Sequence, residues 1–340
     1  MSARAKIVIA MNSASPASIW RWPESATASL RAQFPEVEFL PYLRAIDQPA
    51  AAAELESDAR LFADADAAIA WRLNPRLWRD AARLRWIHCP AAAVTQLLSP
   101  ELIASDIAIT NGASVHSGVV AEHALALMLA LGRGLAPSLS DQRQARWAPQ
   151  PWLDQLAALD GAAVLLLGAG HIGRALAPKL AALGAHVTGV RRHPERGAPG
   201  FAEMHAPEEL DDLLPRADFL VLALPDLAST RHAIGLPQLA RMRPGAMLVN
   251  IGRGAALDEA ALAAALESGR LGGAALDVFA QEPLPQASPL WRAPRCIITP
   301  HTAAFTPDTW VRQTRLIASH LKNFLSGAPL SPLVDKSSGY

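Results

Sequence analysis

A glycine-rich turn in the middle of the chain has the residue types and spacing that bind a dinucleotide. It follows an apolar run that ends at Leu167 and precedes a predicted helix over residues 174–183. The motif consists of Gly168, Gly170, His171, Ile172 and Gly173. The first glycine permits a tight turn, the second lets the backbone approach a pyrophosphate, and the third lets helix and strand pack closely. Because the helix N-terminus would face the phosphates, the motif predicts a nucleotide site.

The residues after the next predicted strand bear on the choice of cofactor. Sites that select NAD place an acidic residue about 20 residues beyond the first glycines, where it binds the ribose hydroxyls. Here Arg191 and Arg192 follow the predicted strand over residues 187–190. Two guanidinium groups suit a 2′-phosphate, so we predict NADP(H) as the preferred cofactor and NAD(H) as the alternative. The other interpretation is a solvated strand end with loose cofactor choice.

Short apolar runs alternate with stretches of helical periodicity along most of the chain, which is typical of an α/β protein. Near-continuous apolar strands indicate parallel sheets buried on both faces, and crossovers between such strands need helices. In the first third of the chain, the predicted strands cover residues 7–10, 37–40, 67–70 and 84–88. In a second β/α unit they cover residues 162–167, 187–190, 219–222, 247–251, 274–278 and 296–298.

Helices and one loop complete the predicted layout. Residues 119–135 indicate a long, mostly apolar helix that must bury nearly all its faces. Residues 142–153 contain two Trp and two Pro and indicate a loop. A C-terminal helix, which we expect to return to the first domain, should carry one apolar stripe formed by Trp310, Val311, Leu316, Ile317, His320, Leu321 and Phe324.

Composition excludes several classes of partner. With 31 basic and 31 acidic residues, no overall field would attract nucleic acid or an anionic membrane. Cys89 and Cys296 lie far apart without metal-ligand spacing, so we expect a cytoplasmic protein with no metal site and no disulfide framework. We find no apolar run approaching the roughly 20 residues that span a bilayer.

Three further segments, together with the glycine motif, resemble the D-2-hydroxyacid dehydrogenase family. They are Val249-Asn250-Ile251-Gly252-Arg253-Gly254, Ala275-Leu276-Asp277-Val278-Phe279 leading into Glu282-Pro283, and Thr299-Pro300-His301-Thr302-Ala303-Ala304. Four spaced motifs in family order are far more specific than any one. Within the family the chain looks most like the glyoxylate and hydroxypyruvate reductases, partly through its C-terminal residues 334–340.

The resemblance implies a Rossmann NAD(P)-binding domain over residues 109–305, inserted into a flavodoxin-like substrate-binding domain over 1–108 and 306–340. Both are doubly wound α/β domains. It also implies a homodimer, because the family's counterpart of the long apolar helix forms much of a dimer interface.

The resemblance further implies reversible reduction of a small 2-keto acid to the D-2-hydroxy acid, and the chemistry explains the residue types. His301 would supply the proton that the developing alkoxide needs, and Glu282 would orient the ring and favour the imidazolium. Arg253 would hold the substrate carboxylate and polarise the 2-oxo group. Asp277 would contact the nicotinamide carboxamide. Individually, Arg253 could bind only cofactor phosphates, Glu282 could be a surface carboxylate, and His301 could cap the following helix.

One segment departs from the family pattern. Where relatives carry a glycine-containing loop that receives the substrate carboxylate, this chain has alanines, and Ala92 and Ala93 are the predicted substrate-binding residues. Either the loop keeps to ordinary backbone angles or its anion nest is altered. The alternative interpretation is that residues 91–94 merely lead into a helix capped by Thr95.

Two other functions stay open at this stage. One is an NAD-dependent dehydrogenase acting on another D-2-hydroxy acid. The other is a nucleotide-sensing interaction protein, since relatives in the family serve as transcriptional corepressors. The set of Arg253, Glu282 and His301 disfavours the second alternative.

Overall fold

A computed structural model describes residues 4–13, 21–148, 152–337 and 339 of the chain. The chain divides into two compact units. Unit 1 comprises Met1–His116 and Phe305–Tyr340, and unit 2 comprises Ser117–Ala304. The borders predicted from the sequence lie at residues 108/109 and 305/306.

Unit 1 contains a five-stranded parallel sheet. Its strands are β1 (Lys6–Ala10), β2 (Glu38–Pro41), β3 (Ala67–Ala70), β4 (Trp86–Cys89) and β5 (Ala108–Asn111), in the order β2-β1-β3-β4-β5. The connecting helices are α1 (Glu24–Gln33), α2 (Ala52–Ala63), α3 (Pro75–Trp78) and α4 (Pro100–Ala104). This strand order is the flavodoxin-like one. Successive side chains of a strand enter opposite apolar cores, as Ile7 and Val8 do, so the sheet is buried on both faces.

Unit 2 contains a seven-stranded parallel sheet. Its strands are β6 (Ala163–Leu167), β7 (His186–Val190), β8 (Glu203–His205), β9 (Phe219–Leu222), β10 (Met247–Asn250), β11 (Gly273–Leu276) and β12 (Cys296–Ile298), in the order β12-β11-β10-β9-β6-β7-β8. Its helices include α7 (His171–Ala182), α8 (Leu210–Leu213), α9 (Leu236–Arg241) and α10 (Glu259–Glu267). The order reverses at β6, as in the Rossmann fold with one added strand. The prediction of two doubly wound α/β domains is confirmed.

The long apolar helix differs from its prediction over residues 119–135 in its bounds, in its capacity to span a membrane and in its burial within one chain. It is α5 (Ala113–Gly132), and by length and composition it could span a membrane, so the statement that no such run exists is wrong. Core helices of soluble proteins can be equally long and apolar, so one such helix is weak evidence for a membrane protein. Within one chain, only 44% of its most apolar 18 residues are buried and Leu129 remains 39% exposed, so a single chain does not by itself provide the expected burial of nearly all faces.

Three local predictions need correction. The predicted loop over residues 142–153 overlaps α6 (Leu135–Arg143) and a short 3₁₀ turn at Leu153–Gln155, and residues 149–151 lie outside the described residues. No helix begins at Thr95, because residues 95–97 form a turn and the next helix, α4, is capped by Ser99. Strands β5 and β8 were not predicted.

The C-terminal helix belongs to unit 1, as expected. It is α11 (Thr309–Ser326), and its buried face includes Gln313, Ile317 and Leu321. Val311, placed on the apolar stripe by sequence, is 51% exposed.

Candidate functional site

The sheet of unit 2 collects the predicted site residues at one edge. Gly168 follows β6, Arg191 follows β7, Arg253 lies three residues beyond β10, Asp277 follows β11, and His301 lies three residues beyond β12. Because all these strands are parallel, their carboxyl ends lie at the same end of the sheet, and ligands bind at that end in such folds.

The three fingerprint glycines meet three different structural requirements. Gly168 has φ +102°, and a Cβ there would lie 2.5 Å from the Ala223 carbonyl oxygen. At Gly170 a Cβ would meet none of the described atoms within 4 Å, so the backbone borders open space. At Gly173 a Cβ would lie 2.4 Å from the Gly168 carbonyl oxygen, which shows how closely α7 packs on the turn.

Helix α7 begins at His171, three residues earlier than predicted, so the fingerprint supplies its first turn. The unpaired N–H groups of that turn, with the positive end of the helix dipole, suit a pyrophosphate. Gly170 is the residue before the first helical position, and His171 is exposed.

The end of β7 carries cationic side chains. The Arg191 N–H donates to the His205 carbonyl oxygen of β8 at 3.0 Å, which fixes the backbone of the arginine pair beside the edge strand. Arg192 is exposed and Arg191 is half-buried. The nearest carboxylate along the chain, Glu195, contacts His193 at 3.4 Å and Arg196 at 3.9 Å. Two guanidinium groups therefore lie directly after β7, and the nearest carboxylate along the chain is already in contact with two other basic side chains.

His301 and Glu282 form a hydrogen-bonded pair. The His301 Nδ1 lies 2.6 Å from the Glu282 Oε2, and Glu282 Oε1 accepts the Phe279 N–H at 2.9 Å. Burial by itself raises the pKa of Glu282, but the hydrogen bonds from His301 and Phe279 and the charges of His301 and Arg253 hold this pKa below its ordinary value. The carboxylate therefore stays ionised and orients the ring through its Nδ1 atom.

Arg253 is half-buried and lies within electrostatic reach of Glu282. Its guanidinium donates to its neighbour's carbonyl oxygen, at Gly252, at 2.7 Å. The next residue, Gly254, packs against the backbone of Phe279 and Ala280, where a Cβ would lie 1.8 Å from the Phe279 carbonyl carbon. This contact brings the arginine segment against the turn that carries Glu282.

Asp277 has contacts that the sequence did not predict. Its carboxylate is 1% exposed and accepts hydrogen bonds from Thr299, Thr302 and Ala303. The His123 side chain, which lies on α5, reaches the same cluster through Thr299. Sequence reasoning missed His123 and Thr299, and the only signal for His123 was a polar residue in an apolar helix.

In unit 1, the alanine loop follows β4 and keeps ordinary backbone angles. The described non-glycine residues with positive φ are Ala145, His232, Arg295 and His301, so none lies in this loop. Asn111 donates to the Ala92 carbonyl oxygen at 2.7 Å, while no described residue accepts a hydrogen bond from the N–H groups of Ala92 and Ala93. The loop therefore offers two backbone donors, as an anion site requires.

In the described parts of the chain, no three His, Cys, Asp or Glu side chains come together to hold a metal ion.

Comparison with known proteins gives consistent matches. The sequence profile described as "D-isomer specific 2-hydroxyacid dehydrogenase, NAD binding domain" matches residues 125–303. The chain is 33% identical over 282 residues to glyoxylate/hydroxypyruvate reductase A of Salmonella newport, a match covering 81% of this chain and 88% of that one. It is 34% identical over 238 residues to D-3-phosphoglycerate dehydrogenase of Mycobacterium leprae, which covers 69% of this chain but 44% of the relative.

Among solved structures, an NADPH-dependent glyoxylate/hydroxypyruvate reductase from Sinorhizobium meliloti, in complex with NADP and sulfate, is 28% identical. The superposition has a TM-score of 0.79 and covers 99% of this chain and 100% of that one.

Proposed function

Because the chain belongs to the D-isomer specific 2-hydroxyacid dehydrogenase family, whose members are oxidoreductases acting on CH–OH groups, we propose that it reduces a small 2-keto acid such as glyoxylate or hydroxypyruvate with NADPH. The resemblance inferred from the four motifs is confirmed. The observation that carries the proposal is the 2.6 Å contact between His301 and Glu282 on the edge of the sheet that also presents the glycine fingerprint.

The chain's own groups would handle the proton and the substrate charges. When bound, the reduced nicotinamide supplies the hydride that reduces the 2-oxo carbon. His301, held through Nδ1 by Glu282, gives the proton at Nε2 to the carbonyl oxygen, and accepts it back in the oxidation direction. Arg253 holds the carboxylate of the substrate and polarises its carbonyl group. Ala92 and Ala93 of unit 1, whose N–H groups have no described acceptor, stay predicted substrate-binding residues.

We assign NADP(H) as the preferred cofactor and NAD(H) as the weaker one. Gly168, Gly170 and Gly173 would hold the pyrophosphate against α7, and Arg191 and Arg192 the 2′-phosphate. The lack of a carboxylate directly after β7 supports this assignment. The contact of Asp277 with the nicotinamide amide stays a prediction: its carboxylate is 1% exposed, and its Oδ2 receives one described hydrogen bond.

We also propose a homodimer located in the cytoplasm. Exposed apolar side chains on α5 and α6, namely Leu129, Leu135 and Leu139, support association through these helices. The two cysteines are both free, which fits a reducing compartment.

The test is a steady-state assay that follows nicotinamide absorbance with glyoxylate or hydroxypyruvate as substrate. We expect turnover that is faster with NADPH than with NADH and that falls about 100-fold or more in His301→Ala. The matched control is His186→Ala, at the exposed amino end of β7, which should keep the wild-type rate. If both cofactors bind but neither is consumed across a panel of 2-keto acids, the enzyme assignment fails and the nucleotide-sensing alternative gains support. Turnover with NADH and a different keto acid would favour the other dehydrogenase.

A further inference from the structure

The backbone of His301 adopts a conformation that is uncommon for residues other than glycine. Its φ is +52°, in the left-handed region, where a Cβ is disfavoured. Its N–H donates to the Thr299 carbonyl oxygen at 3.0 Å, so the chain turns tightly at this residue. Such a conformation persists only when surrounding contacts determine it, and this raises the question of which groups do so.

The contacts that determine it converge on Asp277. Its Oδ1 accepts the Thr299 hydroxyl at 2.6 Å and the Thr302 N–H at 3.0 Å, and its Oδ2 accepts the Ala303 N–H at 2.9 Å. These three donors lie on both sides of His301 in the sequence. One buried carboxylate therefore ties together the two ends of the turn that carries the histidine.

A histidine on α5 extends this arrangement. The His123 Nε2 lies 3.0 Å from the Thr299 hydroxyl oxygen and 3.5 Å from the Asp277 Oδ1. Because the single proton of the Thr299 hydroxyl is directed to Asp277, the hydroxyl oxygen can only accept from His123. His123 must then carry a proton on Nε2. The chain of donors runs from His123 through Thr299 to Asp277.

We propose that His123, Thr299 and Asp277 form a positioning triad for the proposed proton donor. The triad fixes the turn over residues 299–303 so that the His301 ring meets Glu282 before substrate arrives. This inference rests on the proposed role of His301. It adds to Asp277 a task separate from contact with the nicotinamide, and it assigns a task to His123 and Thr299.

The two tasks of Asp277 predict different kinetic effects. A group that only binds the nicotinamide amide should chiefly change the KM for NADPH when it is altered. A group that positions His301 should lower kcat while leaving the KM for NADPH nearly unchanged, since misplacing a reacting group by about 1 Å can cost about 100-fold in rate. A change at Thr299 can distinguish nicotinamide binding from the positioning of His301, because the Thr299 hydroxyl bonds to Asp277 and holds the turn.

The decisive experiment is a double-mutant cycle between Thr299 and His301, measured by single-turnover reduction of glyoxylate with saturating NADPH. We expect Thr299→Val to lower the rate about 10-fold or more in the wild-type background, and Thr299→Ser to restore most of it. In the His301→Ala background, Thr299→Val should cause no further loss, because its effect passes through the absent imidazole. Equal losses in both backgrounds, or an undiminished rate in Thr299→Val, would overturn the positioning role.

A matched pair of carboxylate variants distinguishes a loss of positioning from a general loss of stability. Asp277→Asn and Asp218→Asn each alter a carboxylate that accepts a backbone N–H, but Asp218 lies before β9, at the opposite edge of the sheet. We expect only Asp277→Asn to lower kcat, even if thermal denaturation shows that both variants are less stable. A normal rate in Asp277→Asn would also contradict the triad. A wild-type rate in His301→Ala would instead refute the proposed function, so the two failures are distinguishable.

Discussion

At the scale of single residues, the proposed chemistry depends on a carboxylate that stays ionised despite partial burial. Glu282 is hydrogen-bonded on both oxygens, by His301 and by the Phe279 N–H. Burial raises the pKa of such a group, and only the combined hydrogen bonds and nearby positive charges reverse this effect. Glu282 therefore orients the His301 ring without competing for its proton.

Replacing Glu282 with Gln should affect both rate and acid stability. We expect kcat to fall about 100-fold, because an amide cannot orient and stabilise a protonated ring as a carboxylate does. The folded-state pKa of Glu282 lies below its ordinary value of 4.5, so its stabilising effect is present above that pH and is lost as pH falls through the folded value. Thermal denaturation between pH 7 and pH 3 should show a stability difference from wild type that shrinks in acid.

The control for this variant is Glu267→Gln, at the end of α10, which should leave kcat unchanged. A stability difference between Glu282→Gln and wild type that grew as the pH fell would contradict the assigned direction of the pKa shift.

The arginine pair after β7 gives a second residue-level prediction. Replacing both Arg191 and Arg192 with Ala should raise the KM for NADPH by about 10- to 100-fold, the value of one or two lost charge-assisted hydrogen bonds. The KM for NADH should change little, since NADH lacks the 2′-phosphate. Steady-state titration with each cofactor measures the two KM values. An equal rise in both KM values would show that the arginines do not bind the 2′-phosphate.

At the scale of elements, the site depends on how closely two loops approach. Gly254, beyond β10, lies directly against the backbone of Phe279 and Ala280, beyond β11. A methyl group cannot be accommodated there, because backbone atoms cannot move aside as a flexible side chain can. The arginine loop and the glutamate turn therefore share one packing contact.

We expect Gly254→Ala to separate these loops and lower both stability and kcat. The cost in unfolding free energy should be about 1–3 kcal/mol, as for other overpacked sites. Urea denaturation and the keto-acid assay measure the two effects. The matched control is Gly235→Ala, where the added methyl group meets only ordinary contacts beyond 3.7 Å and φ is −117°. If both variants behaved alike, the close contact would not govern the site.

The elements also show which features a sequence can predict. Strands β3, β9 and β12 match their predicted bounds, because each is a short apolar run bounded by turn residues. Strand β8 was missed because Glu203–His205 is short, polar and at the sheet edge, where apolar periodicity carries no signal. Helix α5 begins six residues early because its polar first turn, from Ala113, gives no apolar pattern.

The same distinction applies to the site. The short motifs and the resemblance that they carry were enough to name Arg253, Glu282 and His301 as candidate site residues. The role of His123 could not be predicted, because its contact with Thr299 spans 176 residues of sequence. In the proposed triad, the positive φ of His301 likewise depends on hydrogen bonds from the flanking residues to Asp277, which the sequence does not show.

At the scale of the whole molecule, the two units each bury a sheet on both faces, yet apolar surface remains on the helices that follow β5. Leu129 of α5 is 39% exposed, and Leu135 and Leu139 of α6 are 49% and 54% exposed. These three leucines lie on two helices that follow one another in the chain, and exposed apolar patches mark association surfaces. The partial burial of α5 thus supports a second copy of the chain as its partner.

The proposed homodimer is tested by light scattering after size exclusion. We expect a mass of about twice 36.1 kDa for the wild type, and a concentration-dependent shift toward a single chain for Leu129→Glu, because a carboxylate is costly to bury without a partner. The control Leu236→Glu alters a side chain that is 63% exposed on α9 and should keep the wild-type mass. A wild type that stays at the mass of one chain at all concentrations would contradict the dimer. In that case the exposed face of α5 would need another explanation, since 20 apolar-rich residues with fewer than half buried are costly to leave in water.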